Sequence, residues 1–335
     1  MIGEKLIGKL WDTVTRDGIG SIASPWHTRR QGRANVEARR DELLMLAQTE
    51  NDVADIKSGK KKFTDDHKLI PLVHDDTEIP LSNNRIEPYF TIENIDFNSD
   101  LRSKAQRMQE QINLTKSVIY AEEELETNFK DGSDEDIDPD WFSRWRDCAE
   151  KVSSEELQRL WAKALAGEIV NPGSYSLRTL EFIRNISQKE ANEISKLAPY
   201  VISGSVYHGP SIEKAGLNFS YLLEMEDLGI LSGIKGNGLQ LSMSSLIDGS
   251  YQNHIVHNNK VLIMKNEIKE KKANFSVYKV TSIGKEVLSL GVFPMTEEYL
   301  EEIGTKAKQQ GFEVTLADWV QSSKETGRYS NPRIL

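Results

Sequence analysis

The residues that could do chemistry are few, and none forms a complete constellation. His254 and His257 are spaced H-x-x-H. A zinc site needs four ligands, drawn from cysteine, histidine or carboxylate at characteristic spacings. This pair lies in NHIVHNNKVLIMKN, which reads as a hairpin turning at Asn258-Asn259, with no cysteine or carboxylate close by in sequence. No zinc is expected there. Cys148 is the only cysteine, and it falls on an apolar helix face, so it reads as a small core residue rather than a nucleophile. Gly59-Lys60 is not part of a phosphate-binding G-x-x-x-x-G-K-[ST] loop. The acidic run DGSDEDID, residues 131–138, lacks the sixth-position glycine and twelfth-position glutamate of a calcium loop. G-x-S-x-G, G-x-G-x-x-G and paired-aspartate phosphoryl-transfer patterns are all missing. The sequence therefore names no catalytic, cofactor-binding or metal residue. What remains is charge: Arg29, Arg30 and Arg33 in a stretch of net +4 over residues 29–40, and Lys269, Lys271 and Lys272, as candidate anion contacts.

The elements that position these residues follow from spacing. In residues 1–17, Ile2, Leu6, Ile7, Leu10, Trp11 and Val14 fall on one side of a short helix. Such a face suits a membrane interface, or packing on the protein or on another subunit. Ile2, Leu6, Leu10, Trp11, Val14 and, beyond Gly18-Ile19-Gly20, Trp26 are the candidate membrane or partner contacts. A basic helix is expected over 25–50, and extended or partly disordered chain over 51–97, where Pro71, Pro80 and Pro88 interrupt. Residues 98–130 form the longest helix. Its seam, Leu101, Ala105, Met108, Ile112, Thr115 and Ile119, steps by four and three as in a coiled coil. We expect this seam to meet a second copy or another helix of a bundle. Leu114, Val118, Ala121 and Leu125 make a second stripe.

Residues 138–202 read as four helices. Asp138 caps the first, with Pro139 in the first turn and Trp141, Trp145, Cys148 and Val152 on one face. Ser153 with Glu156 reads as a capping box for the second, which buries Leu157, Leu160, Trp161, Ala164, Leu165 and Ile169 and ends at Asn171-Pro172-Gly173. The third carries Leu177, Leu180, Ile183 and Ile186. Ser187 with Glu190 caps the fourth, which Pro199 ends. Further on, Phe219 to Leu228 forms a helix closing at Gly229, followed by the strand LQLSMSSL, the hairpin and YKVTSIGKEVLSLG. A last helix shows Tyr299, Leu300, Ile303 and Ala307 on one face, and residues 321–335 look frayed.

The phrase ELQRLWAKALAGEIVNPGSYSLRTLEFIRNISQKEANEISKL carries a recognisable pattern, in Glu156, Leu157, Leu160, Trp161, Ala162, Leu165 and Ala166, then Ser176, Leu180, Ser187, Glu190 and Ala191. It resembles a module of uncharacterised bacterial proteins and of the Abi-alpha family of abortive-infection proteins. Residues 18–42, with their glycines and proline leading into an alanine- and arginine-bearing helix, resemble the N-terminal part of the same proteins. The resemblance implies a role in bacterial antiviral defence. Residues 204–292, a leucine-rich helix, L-G-I-L, two strands and Y-x-V-T-x-x-G, resemble winged-helix domains, which often bind DNA.

Bulk properties narrow the reading. At 335 residues and net charge −10, the chain is long enough for several domains and too acidic to be coated by nucleic acid. One cysteine points to a reducing compartment, so the cytoplasm is expected, with peripheral contact at the inner membrane if the first helix meets lipid. No cleavable signal and no spanning apolar run are seen. The expected fold is mainly α with a smaller α+β part. An arm (1–50) and a polar linker (51–97) lead to a long helix with its four-helix module (98–203). A winged-helix-like region (204–292) and a C-terminal helix and tail (293–335) follow. The expected function is a non-enzymatic interaction protein of antiviral defence, with a protein partner or homo-oligomer, a membrane surface as a further contact, and no cofactor or small-molecule substrate. The alternatives are a winged-helix nucleic-acid-binding regulator and a nuclease whose carboxylates are assembled only by the fold. In the presumed recognition helix Glu224, Glu226 and Asp227 oppose a phosphate backbone.

Overall fold

The computed structural model describes residues 4–16, 35–64, 68–71, 92–129, 131–236, 239–291, 293–294, 296–321 and 327–335. The chain is mainly α with a smaller α+β part. It divides into two compact units, residues 1–180 and 181–335. The expected 98–203 module is thus split between them.

The first unit is helical. Its described helices are α1 (Glu4–Val14), α2 (Asn35–Lys57), α3 (Ile92–Asn128), α4 (Pro139–Ala149) and α5 (Glu155–Val170), and α6 (Leu177–Asn185) straddles the division. A small hairpin, β1 (Lys61–Phe63) and β2 (Leu69–Pro71), follows α2. The long helix starts six residues before its expected beginning, and residues 51–57 are the end of α2 rather than extended chain. Hydrophobic burial organises both faces of α3. Ala105, Ile112 and Ile119 pack with Leu46, Val53 and Ile56 of α2, while Leu114, Val118, Ala121 and Leu125 are buried on the other side, where α5 lies along α3.

Local hydrogen bonds fix the helix ends. Asp138 accepts the N–H groups of Asp140 and Trp141, and Pro139 occupies the first turn. The cap of α5 is Ser154, not Ser153. Ser154 has the extended backbone a cap requires, and its side chain accepts the Leu157 N–H. Leu157 and Leu177 stand in the first turns of their helices and are exposed, so neither joins the core. Asn171 ends α5, and Gly173 takes the left-handed conformation (φ +85°) that the turn needs. Buried Glu168 closes that turn by accepting from Gly173 N at 2.6 Å and Tyr175 N at 3.1 Å. Two indole N–H groups tie α4 to this frame, Trp141 to the Tyr175 carbonyl (2.7 Å) and Trp145 to the Trp161 carbonyl (2.9 Å).

The second unit is α+β. In chain order it has α7 (Gln188–Leu197), β3 (Ser205–Tyr207), α8 (Pro210–Lys214), α9 (Phe219–Asp227), β4 (Leu231–Ser232) and β5 (Leu239–Met243). Then come β6 (Tyr251–His257), β7 (Lys260–Asn266), β8 (Ala273–Val280), α10 (Ser282–Ser289), α11 (Glu297–Gln309), β9 (Glu313–Gln321) and β10 (Gly327–Ile334). The Ser187–Glu190 capping box on α7 is complete. One antiparallel sheet has the order β3-β8-β4, with β5 also on β8; the other is β10-β9-β7-β6. Tyr299, Leu300, Ile303 and Ala307 of α11 join Leu262, Met264, Val314 and Leu316 in one core. The Tyr299 hydroxyl accepts the Tyr207 N–H at 2.6 Å and donates to the Tyr207 carbonyl at 3.1 Å.

The tail was expected to be frayed over 321–335; residues 322–326 lie outside the described residues, and the rest is ordered. Residues 327–334 form β10, paired along β9 with a bulge between Ser330 and Arg333. Arg333 reaches Glu297 at 3.1 Å and also contacts Glu301, which anchors the strand to α11.

Candidate interaction surfaces

The candidate membrane face of the first helix is inside the unit. Leu6, Leu10, Trp11 and Val14 are all buried, against α3 and α5. The Trp11 N–H donates to Glu122, itself buried, at 3.2 Å. Apolar area removed from water by the protein's own core has nothing left to gain from lipid. Ile2 and Trp26, and the candidate anion contacts Arg29, Arg30 and Arg33, lie outside the described residues.

The polar side of α1 is held by the acidic run. Lys5 pairs with Asp134, and Arg16 pairs with Asp136 at 3.1 Å. Lys9 donates to the carbonyls of Ser133 (3.0 Å) and Ile169 (2.8 Å). The hydrogen bond from Lys5 holds the Asp134 carboxyl below its ordinary range, and partial burial pushes the Lys9 ammonium down. The cleft between helix and loop holds about 450 Å³ and is lined by Lys5, Lys9, Asp12, Arg16, Asp131 and Asp134 among others. Its cations and carboxylates face one another, so the run serves as counter-charge to α1.

The candidate oligomer seam is also closed within the unit. Ala105, Ile112 and Ile119 are buried under α2, Leu101 and Thr115 are buried, and Met108 packs at the edge of the same cluster. The spacing marks a real apolar stripe, and α2 covers its described residues within the unit. A further polar cluster lies nearby, where Arg39 approaches Glu122 (3.7 Å) and Glu126 (2.8 Å).

The lysines of the second unit are partly engaged. Lys269 pairs with Asp248 across two loops. Lys271 donates to the Gly311 carbonyl at 3.0 Å and sits 4.7 Å from the Phe312 ring centre, so it contributes to the fold. Lys272 is exposed. His254 and His257 both lie on β6, three residues apart, so they point to opposite faces of the strand and cannot share an ion. His254 stacks near Trp319, while His257 turns inward to the Pro199 carbonyl at 3.3 Å. Cys148 is buried. Among the described residues no group of three or more histidine, cysteine, aspartate or glutamate side chains is arranged to hold a metal, and no helix is long and apolar enough to cross a membrane.

On α9 two of the three carboxylates, Glu226 and Asp227, are engaged. Glu226 accepts the N–H groups of Gly233 (2.8 Å) and Ile234 (2.9 Å), and Asp227 pairs with Lys235 at 3.0 Å. A shallow cleft of about 440 Å³ between α7 and α9 is lined by Glu190, Glu193, Glu224 and Asp227, with Met225 beneath and Lys189 as its cation.

Residues 99–205 match a family described as Protein of unknown function (DUF2806). The matched stretch runs from α3 to the first residue of β3, so it contains the caps, the Asn-Pro-Gly turn and both tryptophan tethers. No curated protein and no solved structure matches the chain.

Sequence reasoning passed over two features. The first is the buried pair Glu122–Trp11, where the available signal was that Glu122, at the head of the run Glu122-Glu123-Glu124, falls on the helical face of Leu114, Val118 and Leu125. The second is the exposed apolar set Leu246, Ile247 and Ile268, beside the turn residues Asp248-Gly249-Ser250.

Proposed function

We propose that this chain is a non-enzymatic interaction protein of bacterial antiviral defence, similar in its helical module to the Abi-alpha abortive-infection proteins. It acts by binding other macromolecules through its exposed surfaces. The resemblance supplies the biological setting. The observation that carries the mode of action is the state of the patterned residues. Trp161, Ala162, Leu165 and Ala166 are fully inside the first unit, and the serine–glutamate pair at 187 and 190 is a helix cap. The residues that define the module build a scaffold, which leaves recognition to what the scaffold displays.

The second unit supports binding to protein over nucleic acid. We read its order of helix α7, strand β3, helices α8 and α9, then strands β4, β5 and β8 in one antiparallel sheet as a winged-helix-like domain with an inserted β6–β7 hairpin, a reading that the element order supports. The helix that would enter a groove is α9. Glu224 and Asp227 line the α7–α9 cleft, and Asp227 and Glu226 are engaged within the unit. Phosphate neutralisation dominates DNA affinity, so this helix opposes it. A contact with a membrane, if made, belongs to a surface other than α1.

The test is phage plating on bacteria expressing the chain. The reading requires reduced plaque yield relative to the empty vector; an unchanged yield across a panel of phages refutes it. The nucleic-acid reading is tested alongside, by salt-dependent retention of duplex DNA on the purified chain.

A further inference from the structure

The surroundings of His208 suit only one of its charge states. The residue follows the edge strand β3, and its N–H donates to the Ser276 carbonyl of β8 at 3.0 Å. The imidazole lies on the Tyr278 ring of β8, with centroids 3.9 Å apart. Its Nε2 is shut off from solvent and has no hydrogen-bond partner among the described residues. His257 differs, since its ring meets the Pro199 carbonyl at 3.3 Å. An imidazolium carries an N–H on both ring nitrogens. At Nε2 of His208 that N–H would be buried with no acceptor, an unfavourable state for a polar group and more so for a charged one.

The charged groups packed around the ring do not offset this. Lys306 of α11 donates to the His208 carbonyl, and its ammonium opposes a second positive charge beside it. Glu302 of the same helix is engaged by Lys306 at 3.3 Å and by the Ser211 N–H at 2.8 Å. Glu213 of α8 acts on Tyr278, where it joins burial in keeping the hydroxyl protonated. The Tyr278 face attracts a cation, but burial and the lysine prevail and push the proton affinity of the imidazole below its ordinary value.

The segment that carries His208 is short and peripheral. β3 has three residues and α8 five, and α8 packs on α11. The Tyr207 bonds to Tyr299, the three contacts to Ser276, Glu302 and Lys306, and buried Ile212 hold it. Gly209 permits the close approach, because a Cβ there would overlap the Glu302 carboxylate. Peripheral segments with few tethers open locally at a lower free energy than the whole domain unfolds.

We propose that residues 207–214 form an acid-released latch: protonation of His208 opens this segment from β8 and α11 while the rest of the second unit stays folded. In the opened segment the ring regains its ordinary titration near pH 6.5. The opening constant therefore rises as pH falls below that value, by at most tenfold per pH unit, and levels off below the folded value. At pH 5 the ceiling is about thirtyfold. Carboxylates ordinarily titrate near pH 4, so the window from pH 7 to 5 reports histidine.

The experiment is hydrogen exchange of the full chain at pH 7, 6 and 5, corrected for the intrinsic rate at each pH. Protection of the Tyr207, His208 and Ser211 amides should fall severalfold from pH 7 to 5, and that of β7 and β9 should not. His208→Phe keeps a ring on Tyr278 and takes no proton, so the acid effect should vanish; His208→Gln should behave alike, and circular dichroism identifies the folded variants. The proposal is overturned if the segment keeps its protection at pH 5, if β7 and β9 lose protection in the same proportion, or if a folded His208 variant retains the acid effect. Loss of the effect in His257→Gln, with His208 intact, assigns the trigger to His257 and also overturns it. The readout is local exchange in the purified chain, so its outcome is independent of phage plating and of the defence reading.

Discussion

Replacing Trp11 asks whether α1 is part of the first unit's core. Its indole is about 1% exposed, and its N–H is a donor to buried Glu122. Removing a buried tryptophan side chain costs about 3–5 kcal/mol in lost burial and residual cavity. The Glu122 carboxylate then loses one of its hydrogen bonds, which costs about 1–3 kcal/mol more, not fully additive with the first term. Against a typical domain stability of about 5–15 kcal/mol this is a large fraction. In a unit of this size it corresponds to a fall of roughly 10–25 °C in Tm. Trp11→Phe separates the two contributions, because it keeps most of the apolar burial and removes only the donor. Lys5→Ala is the control, since the Lys5–Asp134 pair is exposed on both sides and should leave Tm unchanged. Thermal unfolding followed by circular dichroism, together with urea titration, reads all three. A Trp11→Ala protein that melts like the parent would refute the core assignment and return α1 to the surface as a free amphipathic arm.

Further expectations concern the seam, the histidines and one glycine. Ile112→Ala and Ile119→Ala should each destabilise the chain by about 2–5 kcal/mol without altering its mass by light scattering, because α2 covers the seam within the chain; a change of mass with no loss of stability would place a second copy there instead. Burial lowers the affinity of His208 and His257 for protons in the folded state, so both are held neutral. The unfolded chain takes up those protons near pH 6.5, so their contribution is complete above that value and is lost as pH falls from it toward the lower folded values. Melting temperature measured from pH 8 to 5 should fall on the acid side, less steeply in His257→Gln, and a flat profile would contradict the assignment. At Gly132 an added Cβ would stand 2.7 Å from Leu6 Cδ2 and 2.9 Å from the Val170 carbonyl oxygen. Leu6 can turn aside but the carbonyl cannot, so Gly132→Ala should cost about 1–3 kcal/mol, checked by the same melts.

Local signals were legible and tertiary ones were not. The Asp138 cap, the Ser187–Glu190 box and the Asn-Pro-Gly stop each depend on residues within a few positions, and sequence reading finds such patterns directly. The α3 stripes were legible as apolar faces, but spacing alone does not say what covers a face. The covering residues Val53 and Ile56 sit among Asp52, Asp55 and Lys57, in a stretch whose polarity masked the end of α2. In β10, Asn331, Pro332 and charged neighbours give little strand signal. Its order comes from the hairpin with β9 and from Arg333 meeting two glutamates of α11 that are remote in sequence. The exposed tip at Leu246, Ile247 and Ile268 had no periodicity to betray it, since loop residues obey neither the helical nor the strand repeat.

The apolar faces of α1 and α3 are internal to the first unit, and recognition is left to exposed surfaces. Hydrogen exchange of the full chain tests this most directly. The amides of α1 should exchange as slowly as those of α3 and α5. Rapid exchange confined to α1 would contradict its place in the core.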